Sequence, residues 1–351
     1  MKGAFRTTFV LLGVVALSLL GVVMLLSFNT PPITTVQRGP RGTGMAENYS
    51  SGQLRALLVS NTIPATLPQF PAAGPKAGQV YKNVHLLGDL SVGEFTRLMA
   101  SMTTWVSPKA GCAGCHNPAD MAADTVYTKV VARRMIQMVR HINADWKPHV
   151  AMTGVTCWTC HRGQFVPANI WFQAPSPSQF AGAAESNTGK NIATAAINNS
   201  ALPFDPFTPF LLGNHEIRVQ GETALPTGNV HSMKETEWTY ALMMHFAQSL
   251  GVNCTYCHNT RSFGEWAQGT PQRVTAWHGI RMVRDLNGNF MTPLHATLPA
   301  GRLGPLGDSP KINCATCHQG AFKPLLGVSM VSSFPELQGP GQTDALLTPQ
   351  N

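Results

Sequence analysis

The chain has 351 residues, of which 12% are charged and 44% hydrophobic, and Lys and Arg exceed Asp and Glu by 25 to 17 for a formal charge of +8. That length allows one to three domains. So few charges mean that much of the polypeptide packs against a bound group or a partner. The basic excess has the look of a nucleic-acid or membrane footprint, and both readings have to be weighed against the cysteine pattern below.

Residues 1–28 open with Lys2 and Arg6 and continue from Thr7 to Phe28 without a charge, a run long enough to cross about 30 Å of hydrocarbon as a helix. A cleaved signal peptide has a shorter apolar core and a small-x-small site, neither of which is present, and no cysteine follows for a lipoprotein anchor. An uncleaved signal anchor is expected, with Lys2 and Arg6 on the cytoplasmic side and the rest outside. Residues 29–80, rich in Pro, Gly, Thr and Ser, read as an extended strap with little helix. Residues 81–167 form a first unit. Helical periodicity runs from Leu90 to Trp105 through Phe95, Leu98, Met99 and Met102, and again from Tyr127 to Ile142. Residues 168–236 read as linker, Ala/Ser/Pro/Asn-rich to Ala201 and then Pro-punctuated. Residues 237–320 form a second unit with helices from Glu237 to Leu250, stopped by Gly251, and from Arg273 to Leu286. Residues 321–351 are a Pro/Gly-rich tail.

The eight cysteines all fall in C-x-x-C-H motifs: Cys112/Cys115-His116, Cys157/Cys160-His161, Cys254/Cys257-His258 and Cys314/Cys317-His318. This is the attachment signature of c-type haem. The thiols take up the vinyl groups as thioethers and the adjacent histidine supplies the proximal iron ligand. A redox dithiol needs one motif in a βαβ setting, and a zinc ribbon has no use for the trailing histidine. Four covalently bound haem c groups are therefore expected. Their propionates largely cancel the +8, with nearby arginines as partners, so no nucleic-acid partner is expected.

The helix ahead of a motif can offer a sixth ligand. Met243, Phe246 and Leu250 share one helical stripe, while Met244 and His245 point about 100° and 200° away, so Met243 is the residue that faces the iron. The chain also repeats itself. A-R-R-M-I-Q-M-V-R-H-I-N (132–143) aligns with A-W-H-G-I-R-M-V-R-D-L-N (276–287), and V-T-C-W-T-C-H-R-G (155–163) with I-N-C-A-T-C-H-Q-G (312–320). The expected fold is mainly α with extensive irregular loops, a multihaem cytochrome c fold of two pseudo-twofold-related halves with two haem units each, plus one N-terminal transmembrane helix. One position breaks the repeat. Met135, the candidate sixth ligand of the second haem, aligns with Gly279, which cannot ligate iron. The fourth haem then needs His149, His295 or Met282, and these stay open on the residues alone.

Several stretches are more specific: Q-V-Y-K-N-V (79–84), W-V-S-P (105–108), H-V-A-x-T-G-V-T-C-x-T-C-H-R-G (149–163), T-P-Q-R (270–273) and G-I-R-M-V-R-D-L-N (279–287). With the motifs, they resemble the tetrahaem cytochrome subunit of purple-bacterial photosynthetic reaction centres. The resemblance implies Met99, Met135 and Met243 as sixth ligands of the first three haems, and His149 crossing from the first half to the fourth, with His295 structural. It implies a near-linear file of three His/Met haems and one His/His haem, with the third closest to the oxidised chlorophyll pair and Arg273 beside it. The expected role is an electron relay on the periplasmic face of the inner, photosynthetic membrane, not an enzyme. Its expected partners are the reaction-centre core subunits with bacteriochlorophyll, on whose surface the strap lies. A soluble periplasmic donor, a small cytochrome c or a high-potential iron–sulfur protein, would load it. The alternative is a membrane-anchored tetrahaem quinol dehydrogenase feeding periplasmic reductases, which would use more histidine ligation.

Overall fold

The computed structural model describes residues 2–27, 33–175, 190, 194, 196–197, 200–219 and 231–339. Much of the expected linker and the end of the expected tail lie outside the described residues. Helix α1 (Lys2–Ser27) carries no charge beyond Arg6, and its stretch Phe9–Ser27 has a mean hydropathy of 2.9 with none of it buried. At 1.5 Å per residue it is about 39 Å long, enough to cross a bilayer.

The strap carries more regular structure than its composition suggests. Strands β1 (Ile33–Arg38) and β2 (Met45–Ser50) pair antiparallel from Ile33↔Ser50 to Arg38↔Met45. Helix α2 (Ser51–Ser60) follows at once, because Ser50 and Gln53 form a reciprocal capping box. The hairpin closes over the third motif: Met45 N donates to Thr255 Oγ1 (2.8 Å), Thr255 Oγ1 to Arg38 O (2.7 Å), Asn253 Nδ2 to Met45 O (3.0 Å) and Tyr49 OH to Gly251 O (2.9 Å).

The remaining helices are α3 (Ala77–Val80), α4 (Val92–Val106), α5 (Tyr127–Asp145), α6 (Lys147–Val150), α7 (Cys157–His161), α8 (Met233–Leu250), α9 (Pro271–Leu286) and α10 (Cys314–His318). Capping boxes at Ser91/Glu94 and Ser232/Glu235 start α4 and α8, and Pro271 opens α9 where no N–H is needed. Gly251 ends α8 at φ 61°, ψ 44°, a left-handed cap suited to glycine. The apolar stripes of the long helices, with Leu98, Ile136, Val139, Leu242, Val283 and Leu286 among them, meet in one core that runs through both halves.

The sequence repeat is a structural repeat. Asn143 Nδ2 donates to Val155 O (2.9 Å) while its Oδ1 accepts from Val155 N (2.8 Å). The aligned Asn287 makes the same pair with Ile312 (3.0 and 2.9 Å). Each asparagine thereby ties the end of a long helix to the residue two places before a motif. Each also reaches a distant carbonyl, Leu337 O (2.8 Å) for Asn143 and Leu211 O (2.9 Å) for Asn287. The aligned Arg140 and Arg284 donate one residue earlier, to Glu336 O (2.9 Å) and Phe210 O (3.3 Å through Nε). The segments Pro335–Leu337 and Thr208–Leu212 thus play equivalent parts. The expected linker and tail are, where described, packed structure: Ile197 and Leu211 are fully buried, Trp171 pairs through its backbone with Lys311, and Phe334 stacks edge-on to Trp105. The tail returns to the first half, and the middle segment covers the second.

Candidate haem sites

The four motifs adopt two local shapes, alternating along the chain. The first and third begin in 3-10 turns, Gly111–Gly114 and Cys254–Tyr256, and their histidines donate Nδ1–H five residues on, from His116 to Met121 O (2.9 Å) and from His258 to Phe263 O (3.0 Å). The second and fourth are α7 and α10, and there the donation goes three residues on, from His161 to Gln164 O (2.9 Å) and from His318 to Ala321 O (2.9 Å). Arg162 (φ 48°, ψ 42°) and Gln319 (φ 48°, ψ 47°) cap them in the left-handed region. In all four motifs the Nδ1 proton is held by the backbone. That fixes the tautomer and leaves Nε2 as the free lone pair, the arrangement a metal-ligating imidazole uses.

The third and fourth motifs open into one cavity of about 1070 Å³. Its lining includes Cys254, Cys257, His258 and Met243 on one side and Cys314, Cys317, His318 and His149 on the other. Phe246 and Leu250 line it too, so the stripe that carries Met243 faces the cavity. His245 instead is buried against Phe207, 4.5 Å between ring centres, with Ser249 Oγ within 3.1 Å, and burial pushes it down to about 3. The volume exceeds the roughly 300–1,000 Å³ of a single-ligand pocket.

His149 enters this cavity from α6 in the first half. Its Nδ1 donates to Thr275 O (2.9 Å) on α9, and its ring occupies the space a side chain at position 279 would need. A Cβ on Gly279 would sit 2.6 Å from His149 Cε1. The glycine that breaks the repeat is therefore the gap through which His149 reaches across. A metal bound by one nitrogen of each of two imidazoles, at about 2 Å per bond, needs ring centres roughly 6 Å apart; those of His149 and His318 are 6.1 Å apart. Burial lowers the pKa of both, His318 to about 4, so both are neutral, the ligating form. The residues fit haem held between two histidines. His295 lies exposed on the 3-10 turn Thr292–Ala296, and Met282 is buried on α9.

In the first half, Met99 sits on α4 and Met135 on α5, both half-buried against the core. The second and fourth motifs touch. Cys160 Sγ and Cys317 Sγ are 2.8 Å apart, Arg162 Nη2 donates to Cys317 O (3.3 Å), and Gln319 Nε2 donates to Cys160 O (3.4 Å). Gly163 N donates to Trp105 O (2.9 Å), which brings the second motif against the end of the helix ahead of the first. Burial pushes the Cys157 and Cys314 thiols up to about 12. Among the described residues no three His, Cys, Asp or Glu side chains converge as a metal-ion cluster. The hairpin cover of the third motif and the asparagine ties were missed from the sequence. Only the ties had a signal there, a repeated Asn at 143 and 287.

The family described as photosynthetic reaction centre cytochrome C subunit matches residues 29–338. The chain is 52% identical over 316 residues to the photosynthetic reaction center cytochrome c subunit of Thermochromatium tepidum, covering 90% of this chain and 78% of that one. It is 52% identical over 309 residues to the same subunit of Rubrivivax gelatinosus, with 88% and 84% covered, and 39% identical over 346 residues to that of Roseobacter denitrificans, with 93% and 92% covered. Resemblance, motif chemistry and a match over most of the chain agree: this protein belongs to the photosynthetic reaction centre cytochrome c subunit family.

Proposed function

We propose that the chain binds four haem c groups and relays electrons, on the periplasmic side of the photosynthetic membrane, from a small soluble carrier to the photo-oxidised chlorophyll pair of a reaction centre. The coarser part follows from family membership: an electron-transfer subunit of a photosynthetic reaction centre, with covalently bound c-type haem, and not an enzyme. The observation that carries the finer reading is the pair His149 and His318, facing each other across a cavity lined by two motifs.

In this reading the eight motif cysteines attach the groups, and His116, His161, His258 and His318 are the proximal ligands. Met99, Met135 and Met243 complete the first three sites, and His149 the fourth. Haem iron held by two protein ligands exchanges single electrons, and methionine ligation sets a higher potential than a second histidine. The protein's part is to fix each imidazole through its Nδ1 proton, to keep water from the ligands, and to set the order of the sites. Contact between Cys160 and Cys317 supports adjacency of the second and fourth sites, and the common cavity supports adjacency of the fourth and third. With the bond from Gly163 N to Trp105 O beside the first site, this reading orders the sites first, second, fourth, third.

The N-terminus supports which end faces the membrane. Five residues separate α1 from β1, so the hairpin begins within about 22 Å of the end of the anchor. That hairpin covers the third motif. The third site is therefore the exit, near the membrane and the pigment subunits, with Arg273 beside it, and the first is the entry for the donor. A redox titration combined with flash-induced absorbance on photosynthetic membranes tests this. Four haems, three at high potential, with oxidation of at least one after a flash, are expected. Absence of any flash-induced haem oxidation would overturn the relay, and four low-potential haems would overturn the ligand set.

A further inference from the structure

The loop that receives the axial-histidine proton is closed by a buried cation. Lys129, on the first turn of α5 with its side chain 9% exposed, donates from Nζ to three successive carbonyls, Met121 O (3.0 Å), Ala122 O (2.6 Å) and Ala123 O (3.0 Å). It also lies 3.2 Å from Asp124 Oδ1. An ammonium taken out of water needs its protons satisfied, and here all three are. Met121 O is the same oxygen that accepts the Nδ1 proton of His116, so cation and imidazole share one acceptor.

The second half has a related arrangement, in which the cation holds the carbonyls next to the histidine's acceptor rather than the acceptor itself. In the register of the sequence repeat Lys129 aligns with Arg273, which donates to Gly264 O (3.2 Å) and Glu265 O (2.7 Å). Those residues directly follow Phe263, whose carbonyl takes the Nδ1 proton of His258 (3.0 Å). Asp124 only partly offsets the charge in the first half, because Arg133 claims it as well (2.7 and 2.9 Å). Two cations and one anion therefore surround the loop behind His116.

We propose that Lys129 is a positioning residue that sets the potential of the first haem through the Met121 carbonyl. A carbonyl accepting a proton from an axial imidazole raises the basicity of that ligand and so favours the oxidised iron. An ammonium on the same oxygen draws its electron density away and opposes this. The inference rests on the reading of His116 as an axial ligand.

The test is a spectroscopic redox titration of the full chain with haem attached, comparing K129M, K129R and D124N. K129M keeps the length of the stem but not the charge, and lowers one midpoint while the other three stay in place. K129R, which supplies the cation used by the second half, restores that midpoint. D124N, at a carboxylate whose side chain is 40% exposed, removes the offsetting anion and raises the same midpoint. Four unchanged midpoints in K129M overturn the proposal. If K129M fails to attach haem, D124N decides alone, and an unchanged or lowered first midpoint overturns it. The reading beneath it is checked separately by H116G: loss of one six-coordinate haem spectrum supports ligation by His116, and a spectrum identical to the parent's refutes it whatever Lys129 does.

Discussion

Asn143 and Asn287 perform one task in the two halves, whereas Met135 and Gly279, equally well aligned, have parted company. Each asparagine ties the end of a long helix to the residue two places before a motif and to a carbonyl from a segment far along the chain. The second pair has one member whose side chain carries a thioether and one that makes room for the His149 imidazole from the opposite half. The scaffold is kept twofold where it holds backbone. It is asymmetric where a cofactor would be served, and there the asymmetry supplies chemical variety from one repeated unit.

The largest effect is expected where the halves agree. Asn143→Ala leaves Val155 N–H, Val155 O and Leu337 O without their partner in a buried place, whereas Asn287→Ala strands only Ile312 N–H and Leu211 O, because Ile312 O keeps the Trp171 Nε1 donor (3.0 Å). At about 1–3 kcal/mol for each stranded group, Asn143→Ala costs roughly 3 kcal/mol or more and Asn287→Ala roughly 2 kcal/mol or more. Denaturant unfolding should show a loss in both variants, the larger one in Asn143→Ala. A loss in only one would mean that the halves are not pinned alike.

The next effect is expected where they differ. Gly279→Met writes the first half's residue into the second. Its Cβ would stand 2.6 Å from His149 Cε1, so the imidazole must leave the cavity or α9 must shift. Overpacking of this kind costs about 1–3 kcal/mol. The sharper readout is a redox titration: the lowest of the midpoints should rise as a thioether, or no side chain, replaces His149. An unchanged low midpoint would remove His149 from the ligand set.

These two cases also show what the sequence could say. The motifs, the repeat and the stripe of Met243 depend on spacing within a single helix or turn, and they were legible. The gap at Gly279 was legible as a gap, but its filling was not, because His149 arrives across 130 residues of chain through packing that no local pattern encodes. The hairpin was hidden for another reason. Two six-residue strands between Pro and Gly steps carry little apolar alternation of their own, with no residue of β1 buried, and draw their order from contact with Thr255 and Asn253. The segments Thr208–Leu212 and Pro335–Leu337 share little beyond a Pro-x-Leu, too short to announce that they fill equivalent places.

The smallest effect probes the axis itself, where two aligned positions meet. His141 on α5 aligns with Asp285 on α9, and the two bond to each other across the halves, Nε2 to Oδ2 at 2.6 Å. The Nδ1 side faces Asp145 (2.6 Å), and Trp146 Nε1 (2.8 Å) and Asn289 Nδ2 (2.6 Å) donate to Asp285. With a carboxylate at each nitrogen the ring is an imidazolium with two donors. The hydrogen bond to Asp285 raises the pKa of His141 against the opposing effect of burial, and Asp145 adds to the rise. Burial alone would raise Asp285, but donors from His141, Trp146 and Asn289 outweigh it and hold the carboxyl below its usual range. The signs then differ at the two ends of the pH scale. The histidine's contribution is complete below its ordinary value of about 6.5 and is lost as pH climbs through the raised one; the carboxylate's is complete above about 3.9 and is lost as pH falls through the lowered one. The pair is therefore at full strength in mildly acid solution and weakens on the alkaline side of the histidine range. Asp285→Asn keeps an oxygen for Trp146 but removes the charge, so it should cost about 1 kcal/mol in mildly acid solution and less as the pH rises. Thermal unfolding of both proteins at a series of pH values measures the difference, in which the titrations common to the two cancel. A constant difference across the series would show that the imidazolium contributes nothing where the two helices meet, and that the halves are held there by the apolar core alone.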